Sequence, residues 1–475
     1  MIEFATGPSP REVVESRTGH LVVCEQGHEL SEVIAANYAY ALGAGLVIVP
    51  NVPTDVADAI LETFYSLYDH PDYSARELRQ DLRARLCSFC GALSLPASPS
   101  LTFITNKLPF GFGYSEAPST HLFTYPDLGM AIINGFASAA SNKDETVAAV
   151  VVDPGQTPAP EIATAAELLA QRGTFVRGYR GPAANVRDVS QMIEHFPYDL
   201  LIIATHCGDA PGYRWTHEFK DAEGRTRQLV VDIALGIAQS EDDPDVVQLT
   251  RFERFHSLDG VLWNDPEKAK KIVVGSAIVE YMRQAHDTQE LKPISKETIN
   301  RVLGSAALRM YDNNLIALPT AALANYRTPI IFNNACVSWH ELSKRFMFAN
   351  AKAYIGTLWP VTGVEAEDVL LRTIGKHFGK PLAHALWSAQ REAYQDQLRH
   401  PYIMTGVYPQ WLRGSRSDGP HEILKSLAEG LGVWQGRLSK ADGGDEQRLR
   451  SLKSICRFFQ VEYEHMKKRW PRKEP

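Results

Sequence analysis

The chain has 475 residues, of which 44% are hydrophobic and 22% are charged, and its formal net charge is −7. This composition is that of a soluble globular protein long enough for two or three domains. The acidic balance argues against a nucleic-acid partner, because such proteins usually carry a basic surface.

The six cysteines are sparse and irregularly spaced, unlike those of a secreted disulfide scaffold. Met1–Pro10 has neither a basic cluster nor an apolar core, so we expect no signal peptide. No apolar run approaches the roughly 20 residues needed to span a bilayer. Together these features predict a cytoplasmic protein with reduced thiols and no membrane partner.

The first region alternates β-rich apolar runs with helical patterns. Strands are predicted at Leu21–Cys24, Leu46–Val49 and Leu101–Thr105, and helices at Leu30–Leu42, Val56–Tyr68 and Ala75–Leu93. This order predicts an α/β domain over residues 1–143, which ends in the polar stretch 141–144.

The second region contains four short apolar runs, each followed by a polar or glycine-containing turn. They are Val147–Val152, Leu200–Ala204, Ile330–Phe332 and Ala353–Leu358. Such runs are typical of strands buried on both faces of a parallel sheet. Helical patterns lie between and after them, at Glu161–Arg172, Glu341–Ala349, Glu365–Phe378 and Leu382–Leu398. The pattern predicts an α/β domain over 144–413, with a mostly parallel sheet flanked by helices.

Two further segments stand outside this alternation. The 130 positions between His206 and Cys336 are far more than one crossover connection needs. We therefore expect a structured insertion at about 209–319, in which Leu229–Ile233 is strand-like. Residues 414–475 have a helical pattern and are expected to form a C-terminal tail.

Two of the predicted strands end in residues that can carry chemistry, His206 and Cys336. Ligands and catalysis sit at the carboxyl ends of strands in an open parallel sheet. A thiolate is a strong nucleophile, and a neighbouring imidazole can take its proton and later return it to a leaving amine. The backbone amides of Cys336 and of Cys207 or Gly208 are candidates for stabilising the oxyanion.

Each of these residues also has an ordinary structural interpretation. A cysteine at a strand end is more often a small buried hydrophobe, and a histidine there is more often structural or solvated. Cys87 and Cys90 form a single C-x-x-C without a second ligand pair, so burial on a helix is expected there and no metal site is predicted.

Four segments, taken together, resemble the CHAT family of caspase-like cysteine proteases, related to separases, gingipains and metacaspases. They are Val150–Gly155, Asp199–His206, Ile330–Cys336 and Ala351–Val361. The last closes in Leu-Trp-Pro-Val and is the most specific match. The resemblance covers roughly residues 145–410 in the family's order. Two departures are Cys207, which stands between His206 and Gly208 where the family has His-Gly, and the long insertion.

The resemblance implies a caspase-like fold over 144–413 and, over 1–143, a degenerate copy of the same domain. It implies hydrolysis of a peptide bond in a protein substrate through Cys336 and His206, with no metal or cofactor. By resemblance only, we expect a regulated effector in bacterial antiviral defence or signalling that answers to an activating or inhibitory protein partner.

A substrate preference follows from the same resemblance. In arginine-specific relatives, acidic groups at the end of the first strand and two residues before the nucleophile line the pocket for the basic side chain. The matching positions hold Asp153 and Asn334, which predicts cleavage after Arg or Lys. Glu365 and Asp368 are further candidates. The alternative is that Asp153 only starts a turn before Pro154.

Two other functions stay open at this point. One is a catalytically silent pseudoprotease that acts as a binding or scaffold protein, which the altered His206-Cys207-Gly208 turn allows. The other is a thiol hydrolase that acts on a non-peptide substrate with the same sheet.

Overall fold

The computed structural model describes residues 11–14, 16–27, 29–69, 72–95, 97–124, 128–140, 145–239, 247–265, 271, 275–287, 291–316, 322–394, 398–415 and 419–469. The predictions made for Met1–Pro10 and for the linker at 141–144 lie outside these residues. Residues 1–206 together with 318–475 form one compact unit, and residues 207–317 form another.

The strands are numbered in chain order. They are β1 (Arg11–Val14), β2 (His20–Glu25), β3 (Gly45–Val49), β4 (Ser100–Thr105), β5 (Ser119–Phe123), β6 (Ala148–Asp153), β7 (Phe175–Arg180), β8 (Leu200–Ile203), β9 (Cys207–Gly208), β10 (Gly212–Lys220), β11 (Thr226–Gln239), β12 (Val247–Leu258), β13 (Val261–Leu262), β14 (Ser295–Ile299), β15 (Ala307–Arg309), β16 (Asn314–Leu315), β17 (Ile330–Asn333), β18 (Ala353–Thr357) and β19 (Tyr402–Gly406).

The α-helices are numbered in the same way. They are α1 (Glu29–Leu42), α2 (Thr54–Tyr65), α3 (Asp72–Cys90), α4 (Leu128–Ala140), α5 (Glu161–Ala170), α6 (Val186–His195), α7 (Gly275–Asp287), α8 (His340–Phe348), α9 (Gly363–Leu371), α10 (Leu382–Ala393), α11 (Gly419–Ser439) and α12 (Glu446–Arg469).

The first unit is built on a sheet of eleven strands in the order β1-β3-β2-β4-β5-β19-β18-β17-β8-β6-β7. All neighbouring pairs are parallel except β1–β3 and β18–β19. Strands β6, β8, β17 and β18 are buried almost throughout, because their apolar runs are covered on both faces. The predicted fold class is confirmed: the fold is α/β with a mostly parallel sheet flanked by helices, consistent with a caspase-like fold.

Helices hold the sheet through apolar side chains. Leu169 of α5, Val369 of α9 and Leu386 of α10 pack in one cluster with Ile202 and Phe332 of the central strands. Full burial of each such side chain stabilises the fold by about 1.5–3 kcal/mol. The helices thereby fix the strand ends from which the candidate residues project.

The two halves of the sheet share one strand order. Leaving aside the antiparallel edge strand β1, one half runs β3-β2-β4-β5 towards the centre and the other runs β7-β6-β8-β17. In each set of four, the second strand in chain order comes first, followed by the first, third and fourth. Because β18–β19 is antiparallel and β19–β5 is parallel, the strands of the two halves run in opposite directions. A degenerate copy over 1–143 would show this shared order; the copy itself and its boundary stay predictions.

The second unit consists of antiparallel β-structure and one described helix. Its larger sheet has the order β13-β12-β11-β10-β14, and its smaller sheet has the order β16-β15-β9. Phe219 and Val231 of the larger sheet pack with Tyr281 of α7. The structured insertion predicted at about 209–319 corresponds to this unit of residues 207–317.

The helical tail is joined to the edge strand β7 by a buried ion pair. Glu462 of α12 accepts hydrogen bonds from Nε and Nη2 of Arg177, at 3.0 and 2.9 Å, and from the Tyr179 hydroxyl at 2.9 Å. The Glu462 and Tyr179 side chains are buried. None of the helices in the described part of the chain has both the length and the apolar character needed to cross a membrane.

Candidate functional site

His206 and Cys336 occupy matching positions after two neighbouring strands. The parallel strands β8 and β17 pair with Ile203 opposite Asn333, and each candidate residue follows its strand by three positions. Hydrogen bonding between these two strands extends one residue beyond β17, since the Asn334 N–H donates to the Ile203 carbonyl oxygen at 2.8 Å. Adjacent strands lie about 4.8 Å apart. The structure therefore brings the predicted pair to one edge of the sheet, after adjacent strands.

The turn that carries Cys336 is fixed by buried hydrogen bonds. The Ala335 N–H donates to Oδ1 of Asn333 at 3.1 Å, and the Ser338 hydroxyl donates to the Asn333 carbonyl oxygen at 3.2 Å. The Tyr354 hydroxyl donates to the Ser338 carbonyl oxygen at 2.6 Å and accepts from Nδ2 of Asn333 at 3.0 Å. These bonds tie both sides of the turn to the neighbouring strand β18.

Val337, directly after Cys336, has a strained backbone. Its φ of +49° lies in the left-handed region. That region costs an L-residue about 1–2 kcal/mol and is least favourable for β-branched side chains. Such strain persists only where the surroundings over-determine the conformation, and it concentrates at functional sites. The bonds of Ser338 described above supply that constraint.

The Cys336 thiol is half-buried and donates a hydrogen bond to the Val361 carbonyl oxygen, with an Sγ···O distance of 3.6 Å. Burial raises the pKa of the Cys336 thiol, and the negative charge of Glu365 raises it further, while backbone hydrogen bonds partly oppose both effects. The thiol is therefore protonated at neutral pH, and attack by its sulfur needs a base.

His206 is the base that the sequence predicts. Its side chain is exposed, and none of the hydrogen bonds among the described residues involves its imidazole. Catalytic hydrogen bonds are often long in an unliganded enzyme and tighten only when substrate binds. The structure shows no hydrogen bond between His206 and Cys336, and proton transfer between them stays a prediction.

Gly356 on β18 leaves room for this turn, and we expect Gly356→Ala to damage the site. A Cβ atom there would lie 3.0 Å from the carbonyl carbon and oxygen of Ser338 and 2.7 Å from Cε1 of Tyr354. Overpacking of this kind costs about 1–3 kcal/mol and would displace the turn. Thermal unfolding should show the lower stability, and the rate of Cys336 alkylation should change.

Gly363 offers a matched control for that substitution. At Gly363 a Cβ atom would meet only the Pro158 carbonyl oxygen, at 3.8 Å, which is an ordinary contact. Gly363→Ala should therefore leave both measurements near their wild-type values. Equal behaviour of the two alanine variants would contradict the close packing of β18 against the Cys336 turn.

The other predicted oxyanion donors belong to the second unit. Cys207 and Gly208 form β9, which pairs with β15 with Cys207 opposite Leu308 and Gly208 opposite Ala307. The role of the amides of Cys207, Gly208 and Cys336 in stabilising an oxyanion stays a prediction.

Asp153 and Asn334 both lie at the carboxyl edge of the sheet, because Asp153 is the last residue of β6 and Asn334 directly follows β17. Oδ1 of Asp153 accepts the Gly155 N–H at 2.9 Å, so the turn that the sequence analysis considered as the alternative role is present. Asn334 is buried; its Nδ2 donates to Oε1 of Glu161 at 3.2 Å, and its Oδ1 accepts the Tyr402 hydroxyl at 2.5 Å. The Asn334 amide is therefore engaged on both sides by protein groups.

Glu365 and Asp368 make local contacts on α9. Glu365 forms a capping box with Thr362 and an ion pair with Arg399. Asp368 accepts a hydrogen bond from Nε of Arg372 at 2.6 Å. A substrate cation at either carboxylate would compete with these partners, and their predicted role in substrate binding stays a prediction.

One carboxylate at this edge was not predicted as a site residue. Glu161, the first residue of α5, is 3% exposed, and its Oε2 has no hydrogen-bond partner among the described residues. Burial raises the pKa of the Glu161 carboxyl, and the charges of Glu367 and Asp153 raise it further. Acidic residues are common in the first turn of a helix, because they interact favourably with its dipole, so the sequence offered no signal that set this one apart.

No group of three or more His, Cys, Asp or Glu side chains in the described ranges could hold a metal ion. Cys90 is fully buried on α3, and the Cys87 thiol donates to the Gly113 carbonyl oxygen at 3.1 Å. The six cysteines are free thiols. Comparison of the chain with models of known protein families and with curated proteins finds no match.

Proposed function

We propose that the protein is a cysteine endopeptidase that hydrolyses peptide bonds in a protein substrate through Cys336 and His206. The observation that supports this best is the matched position of the two residues after β8 and β17, which are parallel, adjacent and in register. The strained turn at Cys336 and the resemblance of four segments to the CHAT family support the same chemistry. The raised pKa of the Cys336 thiol explains why a base is needed.

The proposed reaction has two steps. His206 takes the proton of the Cys336 thiol while Sγ attacks the scissile carbonyl carbon, and the C–N bond then breaks as His206 gives the proton to the leaving amine. The resulting thioester is attacked by water, which His206 deprotonates, and hydrolysis releases the carboxylic acid and the free thiol. The amides of Cys336 and of Cys207 or Gly208 are proposed to bind the oxyanion.

Cleavage after Arg or Lys is part of the same proposal. Asp153 ends β6, two strands from β17, on the edge of the sheet where Cys336 lies. A half-buried carboxylate gains most from a partner that stays charged, and Arg offers a planar fork of donors to it. On the resemblance alone, we further propose a cytoplasmic effector in bacterial antiviral defence or signalling, controlled by a protein partner.

A second candidate is a silent pseudoprotease that works as a binding or scaffold protein. The observation in its favour is that the Cys336 thiol bonds to the Val361 carbonyl oxygen and not to His206. In that case Cys336 would be a half-buried thiol without a catalytic base.

Labelling with peptidyl acyloxymethyl ketones tests the proposal, because Cys336 must displace the acyloxy group to form a thioether. We expect one label per chain, at Cys336, and labelling at least about tenfold faster with Arg than with Asp next to the ketone. Cys207→Ala should label like the wild type, because only the backbone of Cys207 is given a role.

Peptide mapping of the labelled protein separates the alternatives. A label at Cys207 would reverse the assignment of the nucleophile. Labelling by iodoacetamide but by no peptide ketone would favour a non-peptide thiol hydrolase, and no labelling of Cys336 by any reagent would favour the scaffold. A faster reaction with the Asp ketone would contradict basic selectivity.

A further inference from the structure

Glu161 is a buried carboxyl group without an ion-pair partner among the described residues. It is 3% exposed, and no Lys or Arg among the described residues forms an ion pair with it. The charged groups that interact with it are themselves carboxylates, Asp153 and Glu367. An isolated buried charge is costly, and such groups normally have a partner or become protonated. A cation from outside the chain would be a suitable partner.

The position of Glu161 relative to Cys336 follows from Asn334. Nδ2 of Asn334 holds Oε1 of Glu161 at 3.2 Å, and Asn334 precedes Cys336 by two residues. Two residues of extended chain span at most about 7 Å. The uncompensated carboxylate therefore lies close to the candidate nucleophile, on the side of the sheet edge where β6 ends in Asp153.

The hydrogen bonds around Asn334 leave Oε2 of Glu161 buried and without a hydrogen-bond donor among the described residues. Tyr402, which is 2% exposed, donates to Oδ1 of Asn334 at 2.5 Å and so fixes the orientation of its amide. The amide then presents its N–H to Oε1 of Glu161, while Oε2 receives no hydrogen bond from the described residues. Tyr402 and Asn334 thus hold the carboxyl group through Oε1 alone.

We propose that Glu161 determines specificity, and that its Oε2 accepts the charged side chain of the substrate residue whose carbonyl Cys336 attacks. This inference rests on the proposed function and adds to it a residue that binds the Arg or Lys side chain. Asn334 is then a positioning residue, which acts on substrate through Glu161. Asp153 supplies a second carboxylate, and two acceptors favour guanidinium, whose donors form a planar fork, over ammonium.

The test compares two peptide ketones that differ only in charge, one with arginine and one with citrulline, its neutral isostere. The quantity measured is the ratio of their second-order rates of labelling at Cys336. We expect a wild-type ratio of about 10–100, the factor that a hydrogen-bonded charge supplies. Glu161→Gln should reduce this ratio at least about fivefold, because the arginine rate falls more than the citrulline rate.

Two further variants make the result specific. Glu167→Gln removes an exposed carboxylate from the same helix, α5, and should leave the ratio unchanged. Asn334→Ala should lower the ratio while labelling by the citrulline ketone continues, which a purely structural role would not produce. If Glu161→Gln unfolds, Glu161→Asp keeps the charge but shortens the side chain, and it should also lower the ratio.

The possible outcomes distinguish the two levels of the proposal. A wild-type ratio retained in folded Glu161→Gln protein would overturn the role of Glu161 and assign it as a neutral structural carboxyl, without affecting the nucleophile. If neither ketone labels wild-type Cys336, the proposed function fails. Calorimetric titration of the full chain with an arginine peptide amide then decides whether Glu161 binds an arginine side chain. Binding that Glu161→Gln weakens would support the pocket, whereas binding unaffected by the substitution, or no binding, would overturn it.

Discussion

Cys336→Ala is expected to reduce peptide hydrolysis to background, a loss of at least about a thousandfold. The sulfur is the atom that forms the thioester, and no other group of the turn could replace it. His206→Ala should lose nearly as much, since the raised pKa of the Cys336 thiol leaves it protonated without a base. The double variant should be no worse than either single one, because the two residues act as a unit.

Rates on an arginine peptide substrate, measured with equal amounts of folded protein, check this expectation. Cys456→Ala is a matched control, because it removes another half-buried free thiol from α12, in the C-terminal helical tail. Its activity should equal that of the wild type. Hydrolysis that survives in the Cys336→Ala protein would rule out the mechanism, and full activity of His206→Ala would leave the base unidentified.

Glu462→Ala is expected to detach the C-terminal helices from the sheet. The substitution leaves the Arg177 guanidinium and the Tyr179 hydroxyl without their shared acceptor, in a site where Glu462 is 3% exposed. Removing one partner of a buried ion pair typically costs about 3–5 kcal/mol, because the remaining charge is left uncompensated. Amide hydrogen exchange in α11 and α12 should therefore become much faster.

The exposed Glu464, two residues further along α12, provides the comparison. Glu464→Ala removes the same charge from the same helix without a buried partner, so exchange should change little. Adding Arg177→Met to Glu462→Ala replaces both partners by apolar groups, so the double variant should have a smaller effect than Glu462→Ala alone. Wild-type exchange rates in Glu462→Ala would show that the tail is held by its apolar contacts alone.

Strands with continuous apolar sequences could be predicted closely, whereas polar strands could not. β8 and β17 were predicted within one residue of their ends because both faces of each strand are buried. β5 was missed because Thr120 and His121 are polar. Both are nevertheless buried: the Thr120 hydroxyl donates to the Gly406 carbonyl oxygen at 2.6 Å, and Nε2 of His121 accepts the Gly111 N–H at 3.0 Å. The partner of Thr120 is 286 positions away in the sequence, so the local pattern cannot reveal it.

Helix ends differ from the sequence pattern for a similar reason. One helix was predicted over Glu365–Phe378, but α9 ends at Leu371 and a π-helical turn follows at Arg372–Lys376. Arg172, which lies just after α5, donates hydrogen bonds to the carbonyl oxygens of Ile374 and Gly375 at 2.7 and 2.9 Å. These oxygens are acceptors that a continuous helix would use. The periodicity of apolar residues does not record such contacts.

The candidate site was predictable to the extent that it depends on strand ends. His206, Cys336 and Asp153 stand where three buried strands finish, and the topology brings those ends to one edge. Glu161 was not predictable, because it is distinguished by the missing ion-pair partner and the unbonded Oε2 among the described residues, and these are known only once its neighbours have been placed. The hydrogen bond from Tyr402 to Asn334 could likewise not be predicted, because Tyr402 belongs to β19, which comes much later in the chain.

The position of β19 has a consequence for how many molecules the sheet requires. On one side it pairs with β18 and on the other with β5, so both of its edges are occupied by the same polypeptide. An open edge there would invite a second chain. Because this junction forms within one chain, its assembly is unimolecular, at an effective concentration set by the connecting segments. Dilution should not separate the two halves, and completion of this sheet does not depend on the abundance of the protein.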